Sequence, residues 1–179
     1  MLRVLPPLAL LAATLPIIAG ASTTPAALPL GSGPDRYALG TARTVASILI
    51  YSRWPAQPDP VRLCVVGPAD HAGRLDGQIL PNGATIKRRD LAINTPDLAG
   101  ACDALYIGKL ALPAMRQLTA RVRGEPVLTI AESDPNCRSE AMFCLLYRPD
   151  ALSFQMNLDA ISRSAVRIDP RMLRMSRGY

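Results

Sequence analysis

The chain has 179 residues, of which 49% are hydrophobic and 19% are charged, and its formal net charge is +6. This length suits one domain with a substantial core and is short for two, and the apolar fraction excludes disorder over most of the chain. The chain has a single histidine, His71, which excludes a metal site with several histidine ligands. It also leaves nucleophilic catalysis with one candidate imidazole base, so the composition favours a function other than catalysis.

Residues 1–21 have the pattern of a secretory leader. One basic side chain, Arg3, precedes an apolar run over 5–18, and Ala19-Gly20-Ala21 resembles a signal-peptidase site. The run is shorter than the roughly 20 residues that a spanning helix needs. We therefore predict a cleaved leader and an exported protein that does not span the membrane. Export excludes nucleic acid as a natural partner.

Four cysteines in an exported protein predict two disulfides, because the compartment is oxidising. They are Cys64, Cys102, Cys137 and Cys144. Three connectivities are possible, and the short, turn-rich segment between Cys137 and Cys144 favours a local bridge, which leaves the other two to close a longer loop. The spacing fits neither a C-x-x-C redox centre nor a zinc site. A bridge across a short loop can be a structural staple or a labile redox switch, and both roles stay open.

The elements predicted along the rest of the chain alternate between strands and helices. Residues 22–34 are small and proline-rich, which predicts a flexible linker, and 35–177 form a single domain. In chain order we predict a helix over 35–53, strands over 61–67, 84–91 and 103–108, a helix over 113–122, a strand over 126–130, a hairpin of 142–147 with 152–158, and a helical tail over 159–177 broken at Pro170. This order predicts an α/β fold: a mostly parallel sheet with helices on both faces, followed by a C-terminal hairpin and helix.

No motif of a catalytic, cofactor or metal site is visible. The glycines that follow strands open neither G-x-G-x-x-G nor a Walker sequence. Glu132 and Asp134 are close in sequence, but their spacing does not require a catalytic pair. His71 follows a strand, where it either begins a helix as a polar residue or contacts a ligand. We therefore predict no enzyme, no cofactor and no metal.

Several segments resemble, in the same order, motifs of the YfiR family of periplasmic regulators. Ile48-Leu-Ile-Tyr-Ser-Arg-Trp-Pro55 resembles the family's ILSYTRWP signature, and two later strands resemble its RLCVVG and CDALYIG segments. Those two strands are Val61–Gly67 and Cys102–Gly108, and further matches lie at 127–130, 142–145 and 154–168. The resemblance extends from about residue 40 to Arg177 and includes all four cysteines.

This resemblance implies a regulatory role. Proteins of this family bind the periplasmic sensor domain of a membrane-bound diguanylate cyclase and hold it inactive, which keeps cyclic-di-GMP output and biofilm formation low. It further implies homodimers, an outer-membrane lipoprotein as a sequestering partner, and disulfides Cys64–Cys102 and Cys137–Cys144. The alternative is a periplasmic receptor for a small anion in another envelope signalling system.

Arg53 and Arg167 match arginines that form a small-ligand corner in the family, where two guanidinium groups could hold a carboxylate or phosphate beside Trp54. Asp169 stands where the compared family members have histidine, and an acid beside Arg167 would neutralise it. In the alternative interpretation, Arg53 only ends the helix against its dipole and Arg167 pairs with Asp169.

The expected partner surface lies within 154–167. Here Gln155 replaces a glutamate of the family pattern and points outward, while Phe154, Met156 and Leu158 alternate inward. Ile161 follows in a helix, where it either contacts the partner or packs with Leu158. A basic C-terminal face is expected from Arg163, Arg167, Arg171, Arg174 and Arg177, and could meet an acidic sensor domain or lipid headgroups, or simply be solvated.

Overall fold

The computed structural model describes residues 27–175, so the predicted leader 1–21 and Arg177 lie outside the described residues. The helices are α1 (Arg36–Ile50), α2 (Leu98–Ala101), α3 (Leu112–Arg121), α4 (Leu158–Ser162) and α5 (Met172–Met175), with a short 3-10 helix at Ala72–Arg74. The strands are β1 (Leu28–Pro29), β2 (Ser52–Arg53), β3 (Val61–Val66), β4 (Ile86–Leu91), β5 (Ala104–Ile107), β6 (Leu128–Ala131), β7 (Phe143–Tyr147), β8 (Ala151–Met156) and β9 (Arg167–Ile168). Between residues 27 and 175, no helix is both long and apolar enough to cross a membrane.

Seven strands form one sheet in the order β1-β8-β7-β6-β5-β3-β4, and β2 pairs with β9 in a separate two-stranded sheet. The five strands from β7 to β4 are parallel, whereas β8 runs antiparallel to β7 and β1 antiparallel to β8. The predicted α/β class and the β7–β8 hairpin are confirmed.

Helices cover both faces of the sheet, as predicted. α1 packs on one face through side chains such as Val45 and Ile48, which join the core formed by Leu63 and Tyr106. α2 and α3 cover the other face, where Leu118 belongs to a second cluster with residues of β3 and β5. Because both faces are covered, β5 and β6 are buried along their whole length.

The two disulfides join Cys64 to Cys102 and Cys137 to Cys144, with Cα–Cα distances of 5.7 and 5.5 Å. This is the pairing that the resemblance implies. All four cysteines belong to the cluster on the face covered by α2 and α3.

The ends of the predicted helices differ from the structure. α1 ends at Ile50, and the last residues of the predicted helix, Ser52 and Arg53, form β2 instead. The tail is not one helix, because its centre, Arg167–Ile168, pairs with β2 as β9. The segment predicted as a linker contains β1, which pairs with Leu152 and Ala151 at the sheet edge.

Candidate functional site

The order of the strands in the sheet reverses between the neighbouring strands β3 and β5. From β3 the chain continues to β4 on one side, and from β5 it continues to β6 on the other side. In open parallel sheets, such a change of direction leaves a crevice at the carboxyl ends of the strands, where ligands commonly bind. The loops after β3, β5 and β6 supply the side chains at this edge.

Two of these loops approach each other closely. The Lys109 backbone N–H donates to the Pro68 carbonyl at 2.6 Å, just after β5 and β3 respectively. A Cβ added to Gly108 would lie 2.2 Å from that same carbonyl oxygen, so this position requires glycine. This contact holds the loop with Asp70 and His71 against the sheet edge.

Glu132, directly after β6, is a buried acid at this edge, with only 3% of its surface exposed. Its Oε1 accepts the backbone N–H groups of Asp70 and His71 at 2.9 and 3.0 Å, whereas its Oε2 has no hydrogen-bond partner. Burial raises the pKa of the Glu132 carboxyl, although the Tyr106 hydroxyl and His71 favour the charged form. The carboxyl group is therefore held in a fixed orientation with one oxygen unpaired.

Aromatic side chains surround this acid. The Tyr147 hydroxyl forms a hydrogen bond of 2.8 Å with Thr41 on α1 and lies 3.4 Å from the Tyr106 hydroxyl. Burial raises the pKa of both tyrosines. The His71 ring contacts both Tyr147 and Tyr37, at centroid distances of 4.5 and 5.1 Å, and the two tyrosine rings lie 6.1 Å from each other.

An open groove of about 390 Å³ adjoins Glu132 and Tyr147 on the side of Pro135 and Arg148. Its volume lies within the range of small-ligand sites. We call Asp70, His71 and Glu132 the carboxyl-edge cluster. Its ligand atoms lie within 4.8 Å of one another.

Sequence reasoning missed this cluster, although it considered His71 and Glu132 separately. His71 lies just before the 3-10 helix, as one of its two predicted roles requires. Glu132 is 61 residues further along, and only the parallel register of β3, β5 and β6 brings the two together. The available signal was that each residue follows a buried strand, because the carboxyl ends of parallel strands meet at one edge.

The structure brings the predicted arginine corner together. Arg53 and Arg167 are exposed and lie directly opposite each other in the β2–β9 pair. Arg53 donates to the carbonyls of Ile50 and Ser52, at 2.6 and 3.0 Å, which agrees with its expected helix-ending role.

Asp169 does not pair with Arg167, contrary to the alternative interpretation. Its carboxylate accepts from the Arg171 guanidinium at 2.7–3.1 Å, and this contact lowers the pKa of Asp169 to about 2. Trp54 is not a wall of the corner either. It is buried, and its indole N–H donates to the Asp103 carbonyl at 3.0 Å.

The predicted partner residues lie on consecutive elements, β8 and α4. Gln155 is half-buried in β8, Ile161 is half-buried against the main core, and Arg163 forms an ion pair with Asp159. Phe154 and Met156 point inward as expected, but Leu158 is 44% exposed. The expectation for Leu158 was wrong because α4 begins at this residue, where the two-residue alternation of β8 ends.

A comparison with known families agrees with the fold and the cysteine pattern. The family model described as YfiR/HmsC-like matches residues 40–177, which include the large sheet from β3 to β8, the β2–β9 pair and both disulfides. That family is regulatory rather than catalytic, and together with the disulfides it indicates a periplasmic location. The chain therefore belongs to the YfiR/HmsC-like family, whose members are periplasmic regulators of the diguanylate cyclase system.

Proposed function

We propose that this protein binds the periplasmic sensor domain of a membrane-bound diguanylate cyclase and represses it, which lowers cyclic-di-GMP output and biofilm formation. The match over residues 40–177 carries the proposal. We further propose that the protein is exported through a cleaved leader and assembles as a homodimer. An outer-membrane lipoprotein would release the cyclase from repression by sequestering this protein.

The segment from β8 to α4 is the surface we assign to the cyclase. Leu158 is a large apolar side chain exposed by 44%, and it lies between Gln155 and Ile161 in sequence. Arg163 adds a partly exposed charge one turn after Asp159. An apolar centre with a charged rim is the usual composition of a protein–protein interface.

Co-purification from membranes of the source organism tests this surface. The oxidised protein should recover a membrane protein with a diguanylate cyclase domain. Leu158→Gln should weaken recovery by about tenfold, since an exposed side chain can be changed with little effect on the core. Arg163→Glu should also weaken recovery. Arg89→Glu is the matched charge reversal, because Arg89 is exposed on β4 at the opposite edge of the sheet.

Recovery that is unchanged by both Leu158→Gln and Arg163→Glu would move the interface elsewhere. A well-folded preparation that recovers no cyclase would contradict the repressor function itself. Circular dichroism of each variant separates loss of binding from loss of fold.

An anion receptor is the second candidate, and one observation favours it. Like charges directly opposite each other in an antiparallel pair repel, and Arg53 faces Arg167 in this way. Asp169, two residues after Arg167, forms its hydrogen bonds with Arg171 and interacts with Arg53 only through its charge. A bound carboxylate or phosphate would relieve the repulsion and accept from both guanidinium groups.

Titration with inorganic phosphate and with acetate, followed by calorimetry, tests the receptor function. Arg53→Gln or Arg167→Gln should abolish binding, whereas Arg89→Gln should leave it unchanged. Binding that survives both corner variants would refute this assignment, and a melting temperature that responds to anions without any cyclase recovery would favour it over repression.

A further inference from the structure

We propose that the carboxyl-edge cluster, Asp70, His71 and Glu132, binds one divalent transition-metal ion, of which zinc fits the donor set best. This site goes beyond the proposed repressor function. It lies at the carboxyl ends of β3 and β6, apart in sequence from the β8–α4 surface and from the arginine corner.

The unpaired oxygen of Glu132 is the observation that points to a ligand. A buried carboxylate oxygen without a partner is costly, because it loses its water and gains nothing in return. Glu132 is 97% buried, and its Oε2 has no hydrogen-bond partner. Its other oxygen is held by two backbone N–H groups, so the carboxyl group cannot turn to relieve this cost. A cation at Oε2 would supply the missing partner.

His71 is positioned as the second ligand. Its ring contacts the rings of both Tyr147 and Tyr37, which limits its rotation, and its backbone N–H donates to the Oε1 of Glu132. Ligands fixed by neighbouring groups bind a metal more tightly than free ones, because less order is lost on binding.

Asp70 is the adjustable third ligand. It is exposed and forms an ion pair with Lys109, which lowers the pKa of its carboxyl. Two ligand atoms on one tetrahedral zinc ion lie about 3.4 Å apart, since each bond measures about 2.1 Å. The three ligand atoms lie within 4.8 Å of one another, so they must approach by up to about 1.4 Å to hold one ion. Asp70 is the exposed member of the cluster and can move toward the other two when it leaves Lys109.

The donor set selects the class of metal. One imidazole and two carboxylates suit zinc and its neighbours in the first transition row, whereas magnesium and calcium prefer six or more oxygen ligands. No cysteine of the described chain is free, so thiolates do not compete for the ion. The groove that Glu132 lines gives water or a small ligand a route toward a fourth position on the ion.

The test uses the purified, oxidised protein without an affinity tag and zinc chloride as the probe. His71 is the only histidine, so the ring signals in a ¹H–¹³C NMR spectrum report on this site alone. Zinc should bind with one-to-one stoichiometry in calorimetry and shift those signals, and magnesium at the same concentration should do neither.

Three variants and one control decide the assignment. His71→Phe keeps the aromatic packing, Asp70→Asn changes an exposed side chain, and Glu132→Gln keeps the oxygen that accepts from the backbone. Each should weaken zinc binding by about tenfold or more. Glu125→Gln, at an exposed position beyond α3, is the matched control and should bind like the unchanged protein.

Lys109→Met gives a prediction with the opposite sign. Because Lys109 competes with the metal for Asp70, its removal should tighten zinc binding severalfold. A purely structural cluster would show no such gain. Absence of binding at millimolar zinc, or binding that survives both His71→Phe and Asp70→Asn, would overturn the proposal. These two variants decide the outcome even if Glu132→Gln does not fold.

Discussion

Replacing Cys64 and Cys102 together by alanine removes the bridge between β3 and the end of α2. This bridge closes a loop with a sequence separation of 38 residues, whereas the Cys137–Cys144 bridge closes one of 7. On the chain-entropy estimate, the first loop contributes about 4 kcal/mol to the free energy of unfolding and the second about 2.5 kcal/mol. The long bridge should therefore be the more stabilising by about 1.5 kcal/mol.

Burial adds to this difference in the same direction. Cys64 and Cys102 are both almost fully buried, with exposed fractions of 0% and 1%, whereas Cys137 is half-buried. Truncating the first pair removes more packed side-chain surface from the core.

Urea unfolding followed by circular dichroism measures both effects. Each double variant keeps the other bridge, so each serves as the control for the other. The midpoint should fall in both, and further in Cys64→Ala/Cys102→Ala. A Cys137→Ala/Cys144→Ala variant that loses as much stability, or more, would refute the loop-length reasoning. Removing a bridge also expands the unfolded state, so the slopes must be fitted separately before the free energies are compared.

Three further predictions follow from single contacts. Gly108→Ala should destabilise the fold by about 2 kcal/mol, because the added Cβ would collide with the Pro68 carbonyl. Thermal unfolding measures this loss of stability. An unchanged melting temperature would contradict the close approach of the two loops. Arg171→Gln should raise the pKa of Asp169 from about 2 toward 3.8 in an NMR titration. Because that pKa is lowered, the stabilisation by this ion pair is present above about pH 4 and lost as the pH falls through about 2. Tyr147→Phe removes a hydrogen bond to α1 and should cost about 1 kcal/mol in urea unfolding.

Two comparisons control these experiments. Gly73→Ala is the matched control for Gly108→Ala, since no atom lies within 4 Å of its added Cβ. Arg174→Gln is the control for Arg171→Gln and should leave the pKa of Asp169 unchanged. An equal response in both arginine variants would indicate a general charge effect instead of a specific pair.

The sheet could be predicted from the sequence because its central strands are buried on both faces. The segments 63–66 and 104–107 are continuous apolar runs, each followed by a glycine, and such runs are typical of parallel strands. The β2–β9 pair could not be predicted in this way, because two residues are too few to show a period. Arg53 is therefore assigned to the end of the first predicted helix, and Arg167 to the predicted helical tail.

The arginine corner and the carboxyl-edge cluster also differ in how far the sequence alone could predict them. The arginine corner could be proposed from motifs, but the partner of Asp169 could not, because two arginines lie within two residues of it. The carboxyl-edge cluster depends on the strand order β6-β5-β3, which no local pattern contains. Likewise, the burial of Trp54 depends on Asp103, whose carbonyl accepts its indole N–H from 49 residues away.

The register of β1 has a practical consequence for fusion proteins. Leu28 pairs with Leu152, and Ala27 lies beside Ser153 and Phe154 in a shallow apolar groove. A tag or reporter joined just before residue 27 would start beside β8, near the surface assigned to the cyclase. Because β1 covers only two of the six residues of β8, such an addition could also cover the rest of this edge. Immobilisation for binding measurements should therefore use an engineered attachment point on β4, at the far edge of the sheet.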